Sequence, residues 1–354
     1  MSDETFDQAA VEAWLAPRLD ADRVVVLDAR RPSGQGYSAE TVMFTAECHR
    51  GGEVTTRPLV LRLENAEEAI YPQQSGEALA EIEIQYRIMT AVAESGAVPV
   101  APMIGYEGDA SVAGRPFFVM GFVEGQVPIE DPPYTVSGFF ADATPEQRGE
   151  LVTNGLRAMA QVHTVDPQAA GLGWLARPVP ETGTRAQFDL WRSFGAQELR
   201  GRVHPLLERA WSWLETALPE DRTIGLCWGD PRPGNIIFRD FAPVCLTDFE
   251  ASYIGPPEMD LAWWLMFDRT SHVATGHLPG EPDRDEQRRI YFEVSGREPV
   301  DTSAHEVFAA ARYCVIVVRV MNRWDERGLL PADSTVWLEN PASTALAELL
   351  DEHA

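Results

Sequence analysis

The chain has 354 residues, 45% hydrophobic and 24% charged, with 55 acidic residues against 29 basic ones and a formal net charge of −26. That length exceeds one uniform core and implies two lobes, while the composition is that of a folded globular protein rather than a disordered one. The charge argues against nucleic acid or an anionic membrane as partner, and no apolar run approaches the roughly 20 residues that span a bilayer. The acidity is shared, −11 over residues 1–126 and −15 over 127–354, so it speaks of solubility and singles out no pocket. The acidic start "MSDETFDQ" resembles neither a signal nor a transit peptide. Cys48, Cys227, Cys245 and Cys314 form no close pair, which points to reduced, buried thiols and a cytoplasmic setting.

In chain order, "RVVVLDARR" is a β-branched strand followed by the glycine turn "SGQGYS". "ETVMFTAE" and "RPLVLRLE" alternate as half-buried strands do. "EALAEIEIQYRIMTAV" places Leu79, Ile82, Tyr86 and Met89 at helical spacing, and "MIGYE" and "PFFVMGFV" are two further strands. The order is three strands, one helix and two strands. After the proline-rich "IEDPPYTVSGFF", Thr144 and Pro145 open a helix. Further helices are expected at 187–200, 204–217, 258–268, 284–295, 303–325 and 341–352, with a short strand pair, "NIIF" and "PVCLTDFE", among them.

That strand pair carries the chemistry. In "CWGDPRPGNIIFRDFAPVCLTDFE" Asp230 and Asn235 have the D-x-x-x-x-N spacing of a protein-kinase catalytic loop, and Asp248–Phe249 follows thirteen residues after Asn235. In such a loop the first Asp accepts the proton of the attacking hydroxyl. The Asn and the later Asp hold Mg²⁺, which takes hard oxygen ligands and few of them from protein. Without that chemistry, the stretch would be an Asp/Asn turn with a capping Asp.

The stretch resembles the aminoglycoside phosphotransferase-like, or choline-kinase-like, superfamily of small-molecule kinases, and within it the kinase-like domains associated with acyl-CoA dehydrogenases. "WGDPRPGNIIF" and "LTDFE" carry the resemblance, with "GPPEMDLAWW" behind them, and it extends over nearly the whole chain from about residue 24. It implies an α+β, bilobal, protein-kinase-like fold: an N-terminal nucleotide-binding lobe over 1–123, built of an antiparallel sheet and one helix, and a mostly helical catalytic lobe over 124–354. It also implies ATP or GTP with Mg²⁺, and a small-molecule hydroxyl as acceptor. Asp230 is then the base, and Asn235 and Asp248 are the metal ligands.

The resemblance extends to the first lobe. A kinase grips the nucleotide phosphates with a cation on its third strand, normally lysine. This chain has no lysine, so Arg62, beside Val60 in "LVLRLE", is the candidate. Its planar fork binds phosphate bidentately and is no neutral replacement. The helix carboxylate that should hold it is absent where the family has Glu, because Gln85 stands there. Glu81, one turn earlier on the same face, could reach instead. Gly34, Gly36 and Ser38 in "SGQGYS" match the turn that covers the phosphates, and Met120 to Phe122 match the hinge whose backbone meets an adenine edge.

Other positions depart from the pattern. Trp228 replaces a frequent His, and Glu250 the Gly that follows Asp-Phe in protein kinases. Arg232, two residues past Asp230, stands where protein kinases carry a lysine and reads as a transition-state charge stabiliser. His163 and Asp260 read as packing and loop-anchoring residues, the tryptophans mostly as core, and the seven His show no zinc spacing. The reading is a small-molecule kinase, with the acceptor and the ATP-versus-GTP choice open. The alternative, a nucleotide-binding pseudokinase acting as a regulatory or scaffold module, draws on Gln85, Arg62 and the missing lysine.

Overall fold

The computed structural model describes residues 6–32, 39–77, 79–176, 182–331 and 333–353. They fall into two compact units: the first holds Met1–Ala69, Glu77–Glu124 and Cys245–Glu250, the second Ile70–Gly76, Gly125–Val244 and Ala251–Ala354.

In the first unit, helix α1 (Gln8–Arg18) precedes strands β1 (Arg23–Arg30), β2 (Ala39–Arg50) and β3 (Glu53–Glu64). Helix α2 (Glu81–Ser95), β4 (Met103–Glu107), a one-turn α3 (Ala110–Ala113) and β5 (Phe117–Gly121) follow. The strands form one antiparallel sheet in the order β1-β2-β3-β5-β4. Arg50 pairs with Glu53 across Gly51–Gly52, both at positive φ (54° and 89°), the two-residue turn whose twist matches that of the flanking strands. The strand pleat sorts the residues by face. Leu59, Leu61, Leu63, Phe117 and Val119 pack with Val24, Phe44 and α1's Trp14 and Leu15. Val60, Arg62 and Glu64 alternate with that set and take the other face.

Sequence patterning missed α1, which contains Pro17, and placed the start of α2 four residues early. That start is set from outside the helix. Its N-cap, Ala80, has no capping side chain, and the Glu81 and Ile82 N–H groups donate to the Glu64 carboxylate from β3 at 3.3 and 2.9 Å.

The second unit is helical: α4 (Pro145–Val162), α5 (Thr184–Leu199), α6 (Pro205–Ala217), α7 (Glu258–Ser271), α8 (Arg284–Ser295), α9 (Ser303–Glu326) and α10 (Pro341–His353). Thr144 and Gln147 close a capping box on α4 with Pro145 in the first turn, as the sequence suggests. The 24-residue α9 is the centre of the core, with α5, α6, α7 and α10 packed along it. Between α6 and α7 lie β6 (Gly225–Cys227), β7 (Ile236–Arg239), β8 (Ala242–Leu246) and β9 (Tyr253–Gly255). β7 and β8 pair as expected, whereas β6 pairs with β9, a three-residue strand too short to show a period. No helix among the described residues is long and apolar enough to cross a membrane.

Candidate active site

The loop between β6 and β7 is fixed before Asp230 is reached. Asp260, in the first turn of α7 and fully buried, accepts from the Trp228 N–H at 2.6 Å and the Gly229 N–H at 3.1 Å. Its carboxylate is also met by His163 Nε2 at 2.9 Å and the Tyr253 hydroxyl at 3.4 Å, and His163 Nδ1 lies 2.8 Å from the Tyr291 hydroxyl. Gly229 has φ +91°, and a Cβ there would overlap the Ala251 carbonyl oxygen, so the loop requires glycine before its aspartate. Trp228 is fully buried, and its carbonyl accepts from Ser252 Oγ at 2.9 Å.

Asp230 itself is 4% exposed and surrounded by donors. Trp263 Nε1 donates to Oδ1 at 2.7 Å. Oδ2 accepts from Arg232 Nε at 3.0 Å, Asn235 Nδ2 at 2.9 Å and the Tyr71 hydroxyl at 3.2 Å. Arg232 also pairs with Glu130 and lies 5.2 Å from the Phe267 ring centroid. Asn235 ends a single 3₁₀ turn, Pro233–Asn235, and its amide nitrogen bonds both the main chain and the side chain of Asp230. Its other end is an amide oxygen, a hard donor.

The first unit gathers a second cluster. Arg62 Nη1 donates to Thr41 Oγ1 at 2.9 Å, and Nη2 lies 3.1 Å from Asp248 Oδ1 and 4.0 Å from Glu250 Oε2. Gln85 Nε2 donates to the same two carboxylates, at 3.4 and 3.1 Å. Among the described residues the partner of Arg62 is therefore neither Glu81 nor Gln85. The Glu81 backbone N–H donates to Glu64 at the start of α2, no bond to Arg62 is made by its carboxylate, and Gln85, an amide, bonds the carboxylates that Arg62 faces. Asp248 has φ +55°, a left-handed conformation that Asp tolerates better than most residues.

The remaining sequence candidates divide. Gly34, Gly36 and Ser38 lie outside the described residues. Val60 is buried on β3 beside Arg62. Met120 stands opposite Val60 on one side and Met103 on the other. The Gly121 and Phe122 N–H groups donate to Pro102 O and Pro58 O, at 2.8 and 3.0 Å. The Phe122 N–H expected at an adenine edge is thus engaged at the end of the sheet.

Sequence reasoning missed Trp263, Tyr71 and Glu130. Trp263 counted as core, which it is at 1% exposure, but its ring N–H points at Asp230. The signal was its place in α7, one turn after Asp260. Tyr71 and Glu130 lie in irregular segments without periodicity, and nothing in the sequence marks them.

The chain matches the phosphotransferase enzyme family over residues 30–296. Mouse acyl-CoA dehydrogenase family member 10 is 29% identical over 74% of this chain and 25% of its own length, so the chain spans about a quarter of that relative. A solved Ralstonia eutropha protein described as an aminoglycoside phosphotransferase superposes with TM-score 0.69 at 25% identity, over 98% of this chain and 96% of its own. A thermostable mutant of aminoglycoside phosphotransferase APH(4)-Ia, solved with ADP and hygromycin B, gives TM-score 0.60 at 13% identity over 98% and 99%. The α+β architecture is accordingly the protein-kinase-like fold of the small-molecule phosphotransferases, and the chain belongs to the phosphotransferase enzyme family.

Proposed function

We propose that the protein transfers the γ-phosphoryl group of ATP or GTP to a hydroxyl of a small molecule, with Mg²⁺, and that Asp230 is the general base. The observation that carries this reading is the Asp230 carboxylate. It is buried, multiply hydrogen-bonded, and already accepts one hydroxyl proton donor, Tyr71, at Oδ2. An acceptor hydroxyl bound at Oδ2 would pass its proton to Asp230 as its oxygen bonds phosphorus and the β,γ-bridging bond breaks, releasing the nucleoside diphosphate. Arg232, bonded to the same oxygen, is suited to offset the charge of the moving group. Arg62 is the strand cation for the nucleotide phosphates, and Val60 part of the apolar surface for its base. The hinge reading narrows to the Phe122 carbonyl and to the residues that follow.

The donor set suits Mg²⁺. Asn235 brings an amide oxygen and Asp248 a carboxylate, both hard ligands. When bound, Mg²⁺ neutralises phosphate charge. We also assign the chain to the cytoplasm, since all four cysteines are free and buried, and burial pushes the Cys245 and Cys314 thiols up to about 12. No nucleic-acid or membrane partner is proposed for a chain of charge −26.

The test is acceptor-dependent nucleotide consumption against hydroxyl compounds, including sugars, amino alcohols, aminoglycosides and hydroxyacyl-CoA thioesters. Asp230→Asn serves as the inactive control. Turnover that disappears in this variant supports the reading. Tight Mg·ATP binding with no turnover on any acceptor would instead support the pseudokinase.

A further inference from the structure

Arg312, on α9, is 1% exposed. Among the described residues no carboxylate lies within 4 Å of its guanidinium, and Nε makes no hydrogen bond. Nη2 reaches the Gly229 carbonyl, one residue before Asp230, at a long 3.4 Å. Aromatic faces surround the cation: Trp263 at 4.6 Å, Trp191 at 4.9 Å, Tyr253 at 5.6 Å and Phe308 at 5.9 Å. A charge taken out of water costs several kcal/mol unless something compensates it. Here ring quadrupoles do so. With no carboxylate paired to it directly among the described residues, its charge bears on the rings and the loop carbonyl around it.

Trp263 links that cation to the catalytic loop. Its ring is the nearest of the four to Arg312, and its Nε1–H donates to Asp230 Oδ1 at 2.7 Å. A cation against an indole face draws electron density from the ring and makes its N–H a stronger donor, as hydrogen-bonded groups polarise one another in a low dielectric. We infer that Arg312 is a positioning residue of the phosphotransfer site. Through Trp263 it holds Oδ1 and fixes the orientation in which Oδ2, already met by Arg232, Asn235 and Tyr71, faces the acceptor hydroxyl. The inference rests on the reading of Asp230 as the base.

If Arg312 were only filling the core, methionine would replace it at little cost, since apolar replacement of buried charge is often neutral or stabilising. Three single variants, Arg312→Met, Arg312→Lys and Trp263→Phe, and the Met/Phe double variant separate the cases. We expect Arg312→Met to keep its urea midpoint and nucleotide KM but to lose roughly ten- to a hundredfold in kcat. Arg312→Lys should recover most of it, because an ammonium also sits on an indole face. Adding Arg312→Met to Trp263→Phe should cost little more, because both act through one contact.

A second readout needs no turnover. The Trp263 indole N–H resonance, assigned by its loss in Trp263→Phe, should move upfield in Arg312→Met and stay near its wild-type position in Arg312→Lys. An unchanged kcat and indole signal in Arg312→Met, or independent effects in the double variant, would overturn the inference. Should Arg312→Met fail to fold, Arg312→Lys decides: retained kcat and indole signal support the coupling, and a collapse of kcat with the signal unmoved refutes it. If no acceptor is turned over, the proposed function fails while the indole resonance still decides whether Arg312 acts on Trp263.

Discussion

The two aspartates of the motif occupy opposite physical settings. Asp248, in the first unit, has a side chain 31% exposed and is held by charge, with Arg62 at 3.1 Å. Asp230, in the second, has a side chain 6% exposed and is held by four neutral and cationic donors from three segments of the chain. A partly exposed ion pair is worth little and is easily exchanged. On the proposed reading, that suits a carboxylate whose cation should release it when phosphate and metal arrive. A buried carboxylate with directional donors keeps its position, as a base requires. On the proposed reading the difference separates binding from chemistry.

The sharpest way to break this contrast is Asp230→Asn. Removing the base should cost about 10²–10⁴ in kcat. The Kd for Mg·ATP, read by calorimetry, should stay near wild type because Asn235 and Asp248 remain. A large loss of nucleotide affinity with the fold intact would recast Asp230 as a metal ligand. Retention of most activity on an identified acceptor would remove the kinase-loop reading altogether.

The anchor behind Asp230 is the next largest effect. Asp260→Ala leaves the Trp228 and Gly229 amides and His163 without a shared acceptor in a dry interior. Breaking one side of a buried, hydrogen-bonded pair costs about 3–5 kcal/mol, so the urea midpoint should fall steeply. A midpoint within the range of ordinary surface substitutions would show that the loop does not depend on α7.

Arg62 tests the exposed side of the comparison. Arg62→Ala should weaken ATP roughly ten- to a hundredfold, the scale of a charge-assisted hydrogen bond, and leave adenosine binding almost unchanged. Arg62→Lys should restore only part, because the bidentate fork is lost. Equal losses for ATP and adenosine would mean that the substitution disturbs the sheet rather than a phosphate contact.

What was legible follows from the range of the forces. Helices α4 to α10 follow from period and caps, because an amphipathic face and a capping box are local. The triad Asp230, Asn235 and Asp248 was readable as spacing. Partners that depend on tertiary approach were not. Glu81 shares a helical face with Gln85, which suggested a reach to Arg62, yet the carboxylates that meet Arg62 come from Asp248 and Glu250, far along the chain. Phe122 looked free as a hinge residue, and only the register of β5 shows its N–H engaged with Pro58. Trp263 and Arg312 read as core because they are core. Only coordinates show where a buried N–H or guanidinium points.

The smallest expected effect lies in the second unit, in a buried histidine cluster. His272 Nδ1 faces the Asp268 carbonyl at 2.6 Å and Nε2 faces Glu281 Oε1 at 2.7 Å. A carbonyl and a carboxylate only accept, so both ring nitrogens are placed to donate, as they do in the imidazolium. Burial alone would depress its pKa, but the Glu281 hydrogen bond and the charges of Asp268 and Glu281 outweigh it and hold the value above the ordinary one. His277 stacks on the ring at 4.4 Å, Arg284 lies 3.6 Å from Asp268, and Tyr134 packs edge-on. A histidine whose folded pKa is raised contributes stability that is complete below its unfolded pKa of about 6.5, and loses it as pH rises through the folded value. Urea midpoints of wild type and His272→Gln should therefore lie furthest apart on the acid side of neutrality and converge as pH rises through the raised value. A gap that stays constant with pH would mean that the ring is neutral in the native state.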